Sequence, residues 1–434
     1  MSYSQSCIRC RFKAVKPHIP AFDAEALLRS GTGVLSPEIS SGLRTDISSL
    51  ERELSVIDEL FHEISSRRES VRKALNCHEA AFAPIRTLPL DILLEIFAKV
   101  PTNALRRDYA PWVIGQVCSL WRTISLSTPS LWSNICFDIY HAATGDQKLQ
   151  ALTTILSRSG DHPLTISIDS PSDGFHFPHN FASAGDLRIL AVHGSRWTSL
   201  ELNMNRTDLH NAFDIIDRSN RPLTHLRRLH ISTTEGSASL NMPIFSPSPI
   251  LYCILQGVSI MTLPVPLSNL ATLTSELEHL SELPYLLRMA TELEVLRIIP
   301  LTNSMPTYEY DGPMVTNTSL RRLSIQCIPW AQRYTLPRAP LNFSGISLPG
   351  LLELDLETGV MHDTGGEPFT PEDILQLCHM LEQSRCRLKI LRVDSPIHFS
   401  AISPLLVSHG QSLTAVHLFV DEDNVFGLIR GLNA

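Results

Sequence analysis

PIRTLPLDILLEIF, Pro84 to Phe97, is the stretch whose reading decides the fold. Helix-start signals open it: Thr87 carries a hydroxyl able to cap backbone N–H groups, Pro89 sits where a missing N–H costs nothing, and Asp91 complements the positive helix end. Leu88, Ile92, Leu93, Ile96 and Phe97 then recur at helical spacing, which puts a broad apolar stripe on a short helix. About twenty residues on comes a second helical stretch, VIGQVCSLWRTIS, with Val113, Val117, Leu120, Trp121 and Ile124 on one side, ending at the proline turn TPSLWSNI. An apolar stripe alone is the mark of any core helix. The ordered set LP-x-D-I-L, V-C-x-x-W-R and P-x-L-W is more specific than that.

Upstream, apolar residues fall at Leu43, Ile47, Leu50, Leu54, Ile57, Phe61, Ile64, Val71 and Leu75, in alternating steps of four and three that only Arg68 interrupts. This heptad seam predicts one long helix from about Pro37 to Cys77, with Glu51, Asp58 and Arg72 among the charges on its other faces. One helix cannot bury its own seam, so it either pairs with a second copy or docks on a neighbouring element. Residues 1–36 read as a flexible basic tail whose lone Cys7-x-x-Cys10 lacks the second pair that a zinc site needs.

Downstream of Trp132 short apolar runs alternate with helical patches. An L-x-x-L-x-L pattern recurs at Trp197-Leu200-Leu202, Leu226-Leu229-Ile231, Leu293-Leu296-Ile298, Leu320-Leu323-Ile325, Leu351-Leu354-Leu356, Leu388-Leu391-Val393 and Leu413-Val416-Leu418. Its starts step by 29, 67, 27, 31, 37 and 25 residues, and the double gap has room for a degenerate copy around Tyr252–Val258. In each copy the inner leucines belong to a short strand stacking on the next, and segments such as Pro371–Gln383 read as covering helices. A strand PLTISID and helices at Asp146–Ser159 and Leu187–His193 come before the first copy. Few asparagines follow the strands, so an irregular α/β domain with leucine-rich strands stands beside the solenoid as a reading.

The Leu88–Phe97 core, Val117, Cys118, Trp121 and Arg122, and Pro129, Leu131 and Trp132 together resemble the F-box, a small helical module that docks on a Skp-type adaptor. The closer resemblance is to F-box-like proteins of mushroom-forming fungi, in which a heptad helix leads into P-I-R-x-L-P and a repeat region follows. Asp91 departs from the usual glutamate, conservatively. The resemblance implies residues 37–80 as a coiled-coil-like helix, 84–135 as the F-box and 145–434 as a leucine-rich-repeat-like recognition domain. The expected fold class is α + α/β: a long N-terminal helix, a small helical F-box, then an irregular leucine-rich-repeat-like α/β solenoid.

Composition agrees with a globular chain: 434 residues, 43% apolar and 18% charged, with a formal charge of −8 that gives no electrostatic case for nucleic acid. Nine unevenly spaced cysteines point to a reducing compartment, cytoplasmic or nuclear, and no apolar run is long enough to span a membrane. There is no phosphate-cradling G-x-x-x-x-G-K-[ST], no G-x-G-x-x-G after a strand, no G-x-S-x-G elbow and no H-E-x-x-H. His176 and His179 make at most two metal ligands, and Asp421–Asp423 is a run of isolated charges. No cofactor, metal or catalytic residue is expected.

What the resemblance implies is a substrate-recognition subunit of a Skp–cullin–F-box type ubiquitin ligase, with ubiquitin transfer done by partner enzymes. Leu88, Pro89, Ile92, Leu93, Ile96, Val117, Cys118 and Trp121 are the candidate adaptor contacts, some of which hold the module together instead. The residue between the two strand leucines faces away from the core, giving Glu201, His230, Arg297, Ser324, Asp355, Arg392 and His417 as a candidate row for an unidentified target protein. The alternative is a non-catalytic scaffold that self-associates through residues 43–75, with the F-box-like helices merely part of its core.

Overall fold

The computed structural model describes residues 17–29, 35–138, 145–169, 184–233, 243–261, 263, 265–277, 280–300, 310–327, 341–358, 369–394 and 399–418. Cys7, Cys10, His176, His179 and Asp421–Asp423 lie outside them. The chain divides into two compact units, Met1–Leu93 and Leu94–Ala434.

In the first unit, helix α1 (Ala24–Arg29) precedes α2 (Pro37–Ala81), a single helix of 45 residues. Ser36 starts α2 by accepting the Ile39 N–H on its hydroxyl at 3.3 Å, and Pro37 fills the first turn where no donor is needed. The helix runs a turn beyond the Cys77 that periodicity predicts. Its seam is uncovered: from Ile47 to Leu75 the eight apolar seam residues are 43–72% exposed. Part of the segment read as a flexible tail is instead laid along the helix. The Ala21 N–H donates to Asp46 Oδ2 at 2.9 Å, His18 Nε2 lies 2.9 Å from Asp46 Oδ1, and the His18 N–H donates to Glu53 Oε2 at 2.6 Å. Asp46 is buried by this strap, and a Cβ at Gly42 would run into the Phe22 ring.

After α2 a 3-10 turn, Pro84–Thr87, leads to α3 (Leu90–Lys99), within which the division between the units falls. Thr87 does not cap α3: its hydroxyl donates to the Pro84 carbonyl at 2.7 Å and closes the turn, while the Pro89 carbonyl accepts the first helical bond from Leu93 N–H. Proline supplies that carbonyl without bringing an N–H of its own.

The second unit continues with α4 (Trp112–Val117) and α5 (Ser119–Ser127). These are two helices where periodicity suggests one, because Cys118 is fully extended at φ −159° and ψ 173°. Strands β1 (Asn134–Asp138), β2 (Leu164–Asp169), β3 (Trp197–Asn203), β4 (Arg228–Ser232), β5 (Tyr252–Gln256), β6 (Thr272–Leu277) and β7 (Val295–Pro300) follow. Next come β8 (Val315–Thr316), β9 (Arg322–Cys327), β10 (Ile346–Ser347), β11 (Glu353–Thr358), β12 (Ile390–Asp394) and β13 (Ala415–Leu418). All but the short β8–β10 pair form one parallel sheet of eleven strands in strict sequence order.

Parallel neighbours need a crossover between them, and helices α6 (Gly145–Ser159), α7 (Ala184–Ala191), α8 (Arg206–Arg218), α9 (Leu283–Met289), α10 (Pro371–Ser384) and α11 (Phe399–His409) lie in such connections. The leucines of the repeated pattern stack in register: Leu200 on Leu229, Leu296 on Leu323, Leu323 on Leu354 and Leu354 on Leu391, all buried. The double gap holds two strands rather than one, β5 with Cys253 and Leu255 inside and β6 with Leu273 and Ser275 inside. Buried Asn317 nails the turn before β9, its amide donating to the Leu287 and Ala290 carbonyls and its oxygen accepting the Ser319 and Leu320 N–H groups. Among the described residues no helix is long and apolar enough to cross a membrane, and no three metal-ligating side chains cluster.

Candidate functional site

Burial sorts the candidate adaptor contacts. Within the first unit Pro89 is exposed, Leu88 half-buried and Ile92 43% exposed, whereas Leu93 is 2% exposed and therefore a core residue. Within the second, Ile96 is 39% and Val117 55% exposed, while Cys118 and Trp121 are half-buried. Trp121 meets Phe97 edge to face with ring centroids 4.8 Å apart, so one side of the indole is fixed by packing. Leu90, Val113 and Leu120 are also exposed apolar side chains, and they are absent from the candidate set.

The second unit shows what holds these helices. Ser125 Oγ donates to the Pro111 carbonyl at 2.9 Å and Arg122 Nε to the Gly115 carbonyl at 2.8 Å, tying α5 to α4 across the break at Cys118. Leu131 and Trp132 of the proline turn are buried, and the Trp132 indole N–H donates to the Ser125 carbonyl at 2.7 Å. The Arg158 guanidinium of α6 stands over the Trp132 ring at 4.4 Å and the Trp112 ring at 5.5 Å. The tryptophans thus join the small helices to the start of the sheet domain.

The second candidate set lies on the sheet. Register places Glu201, His230, Arg297, Ser324, Asp355, Arg392 and His417 in one line, with Ile254 and Thr274 filling the double gap and Ser167 and Cys136 extending it to the first strand. Near the first strands Ser167 Oγ donates to Glu201 Oε2 at 3.1 Å, and His230 Nδ1 lies 3.0 Å from Glu201 Oε1. Tyr252 and Ile254 are exposed apolar side chains, with Arg228 above the tyrosine ring.

Further along, the line is closed into ion pairs. Arg322 Nε donates to Asp355 Oδ2 at 2.6 Å, and Arg392 Nη1 donates to Asp355 Oδ1 at 3.0 Å and to Glu353 Oε2 at 2.9 Å. Glu357 bridges the guanidinium of Arg297 and the hydroxyl of Ser324. The Asp355 side chain is 2% exposed, so its two arginines neutralise a carboxylate almost wholly withdrawn from water. The hydrogen bonds Arg392 donates to Glu353 and then to Asp355 raise its pKa above the ordinary value. Arg322, Glu353 and Glu357 lie outside the candidate row, yet each is two residues from a member of it. Strand alternation puts such residues on the same face, so period two was the signal that could find them.

The β6 strand carries a different acid. Glu276 accepts the Gly257 N–H at 2.8 Å, and burial raises its pKa despite that bond. Gly257 has φ +69°, and a Cβ there would meet the Thr233 carbonyl oxygen, so the turn that supplies this N–H requires glycine. A raised folded-state pKa means that ionising Glu276 costs more in the folded chain than in the unfolded one. The penalty is absent below the ordinary glutamate range and grows as pH rises from that range through the shifted value. Glu276→Gln, which keeps an oxygen for Gly257, is therefore expected to raise stability at pH 7 and to match the native chain near pH 4, read by urea midpoints at the two pH values. Burial also pushes the thiols of Cys253 to about 12 and of Cys136 and Cys378 to about 11, leaving them protonated at neutral pH.

Exposed apolar side chains thus lie on the short helices, and a line of polar side chains runs along the parallel sheet. Residues 85–138 match the F-box-like family, so the chain carries an F-box-like domain there. The matched stretch runs through β1, the first strand of the sheet. F-box domains generally bind Skp-type adaptors, the entry point to Skp–cullin–F-box ubiquitin ligases. A search of curated proteins found no match to the chain.

Proposed function

We propose that this chain is the substrate-recognition subunit of a Skp–cullin–F-box type E3 ubiquitin ligase, acting in the cytoplasm or nucleus and carrying no catalytic residues of its own. The observation that carries the reading is the division of labour inside residues 85–138: Leu93, Phe97, Ile124, Leu131 and Trp132 are buried, while Pro89, Ile92, Ile96 and Val117 keep apolar surface in water. Exposed apolar side chains on a small helical module are what a partner protein covers. Partner enzymes would transfer ubiquitin; this chain would hold a target near the donor and raise its local concentration.

Target binding falls to the parallel sheet, read as a leucine-rich-repeat-like α/β solenoid whose strands follow one another in space as in sequence. Tyr252 and Ile254 offer an apolar anchor beside the pair Glu201–His230, which suits a protein ligand with both apolar and polar contacts. Co-purification of the native chain with a Skp-type adaptor is the test. A stoichiometric complex is expected; failure to bind over a range of adaptor concentrations sinks the ligase reading.

A further inference from the structure

The uncovered seam of α2 calls for an occupant, and its charges say which one. Taking Ile47, Leu54, Phe61, Arg68 and Leu75 as heptad positions a, and Leu43, Leu50, Ile57, Ile64 and Val71 as d, puts Asp46, Glu53 and Arg67 at g and Arg44, Glu51, Asp58, Arg72 and Glu79 at e. A parallel, in-register pair of α2 helices sets each g beside the following e of its partner. Asp46 would then face Glu51, Glu53 would face Asp58 and Arg67 would face Arg72, with Arg68 against Arg68 in the seam. Every charged contact in that arrangement is repulsive.

We infer that α2 pairs with α2 of a second copy of this chain in the antiparallel sense, centred between His62 and Glu63. This register places Arg44 opposite Glu79 and Glu51 opposite Arg72, each twice by symmetry, and brings no like charges together. Its seam layers are Leu50 on Leu75, Leu54 on Val71 and Phe61 on Ile64, with Arg68 meeting Ile57 in place of another arginine. Shifting by one heptad destroys the match: one way Arg44 meets Arg72 and Asp58 meets Asp58, the other way Glu51 meets Glu79 and Arg67 meets Arg67.

Two further observations fit the same register. Among the described residues Arg44, Glu51, Arg72 and Glu79 make no ion pair within the chain, so their charges are free for a partner. The acids at g that are used, Asp46 and Glu53, are held by the strap from His18 and Ala21. Opposite them the register puts Ala81 and Ala74, which ask for no charge and leave room beside the strap. The occupant is therefore another copy of α2, recognised by its own sequence read backwards.

The test is sedimentation of the full chain and two charge variants across a concentration series. The native chain is expected to run at twice 48.4 kDa. Arg72→Glu sets glutamate against Glu51 in the antiparallel register and is expected to weaken the dimer about tenfold, whereas in the parallel register it would face Arg67 and tighten it. The exchanged variant Glu51→Arg, Arg72→Glu is expected to restore native affinity. Both positions of change, Glu51 and Arg72, are on the surface of the helix, so folding is preserved and can be checked by circular dichroism. A native chain that stays monomeric overturns the pairing, and a dimer tightened by Arg72→Glu overturns its antiparallel sense. Neither outcome bears on adaptor binding.

Discussion

A chain carrying Arg322→Met and Arg392→Met together is expected to lose about 3–5 kcal/mol of stability, seen as a large fall in the urea midpoint. Methionine keeps much of the apolar stem of each arginine, so the change isolates charge. What it leaves behind is Asp355, whose side chain is 2% exposed and whose partners were these two guanidinium groups. An ionised carboxylate without a counter-charge in such a place costs far more than a surface ion pair contributes. The cost should therefore belong to the stranded aspartate and not to the missing arginines. Adding Asp355→Leu as a third change is expected to recover most of the loss; a triple variant no more stable than the double would show that the arginines act through packing. Either single arginine variant should cost less than half the double, because the remaining partner still neutralises the carboxylate.

Ile92→Asp with Val117→Asp is expected to weaken adaptor binding at least about a hundredfold while leaving the chain folded. Both side chains are exposed, so an aspartate at either position is solvated in the free protein and is buried only if a partner covers it. Leu93→Ala provides the contrast. That side chain is 2% exposed, and its truncation should cost about 2–5 kcal/mol of stability as a core cavity while leaving adaptor affinity of the folded fraction close to native. Titration calorimetry against a Skp-type adaptor, with urea unfolding of the same samples, separates the two effects. Unchanged binding in the double aspartate variant would remove these two residues from any adaptor interface.

Much of the architecture was legible because the repeated leucine pattern states both a strand and its neighbour. Leu229, Leu296, Leu323, Leu354 and Leu391 mark strands that the structure pairs in register, and the residue one place further along each strand falls on the same line. The pattern fails where chemistry departs from leucine. Cys253 and Ser275 occupy inward places on β5 and β6, and a buried serine carries no apolar signal, so two strands passed as one degenerate copy. Ile135 of β1 follows the proline turn so closely that it reads as the end of the helical module, not as the start of the sheet. The break at Cys118 is invisible to helical periodicity, which continues in phase across it. The strap on α2 depends on Asp46, Glu53 and Gly42 meeting His18, Ala21 and Phe22, and no spacing rule links those residues. At the candidate sites, composition found exposed and buried apolar residues together, and only packing could separate Leu93 from Ile92.

The strict sequence order of the eleven parallel strands also bears on how the chain acquires its structure. Each strand's partners are the ones made just before and just after it, so no early strand must wait for a distant one. Pairing with the neighbouring strand in sequence limits the loop-closure cost of each step to that of one crossover. A chain emerging from the ribosome can therefore lay down β1, add β2 upon it and continue outward, each addition burying the apolar face left by the last. On that route the newest strand always presents an open edge, and the hazard of mispairing travels along the molecule as synthesis proceeds.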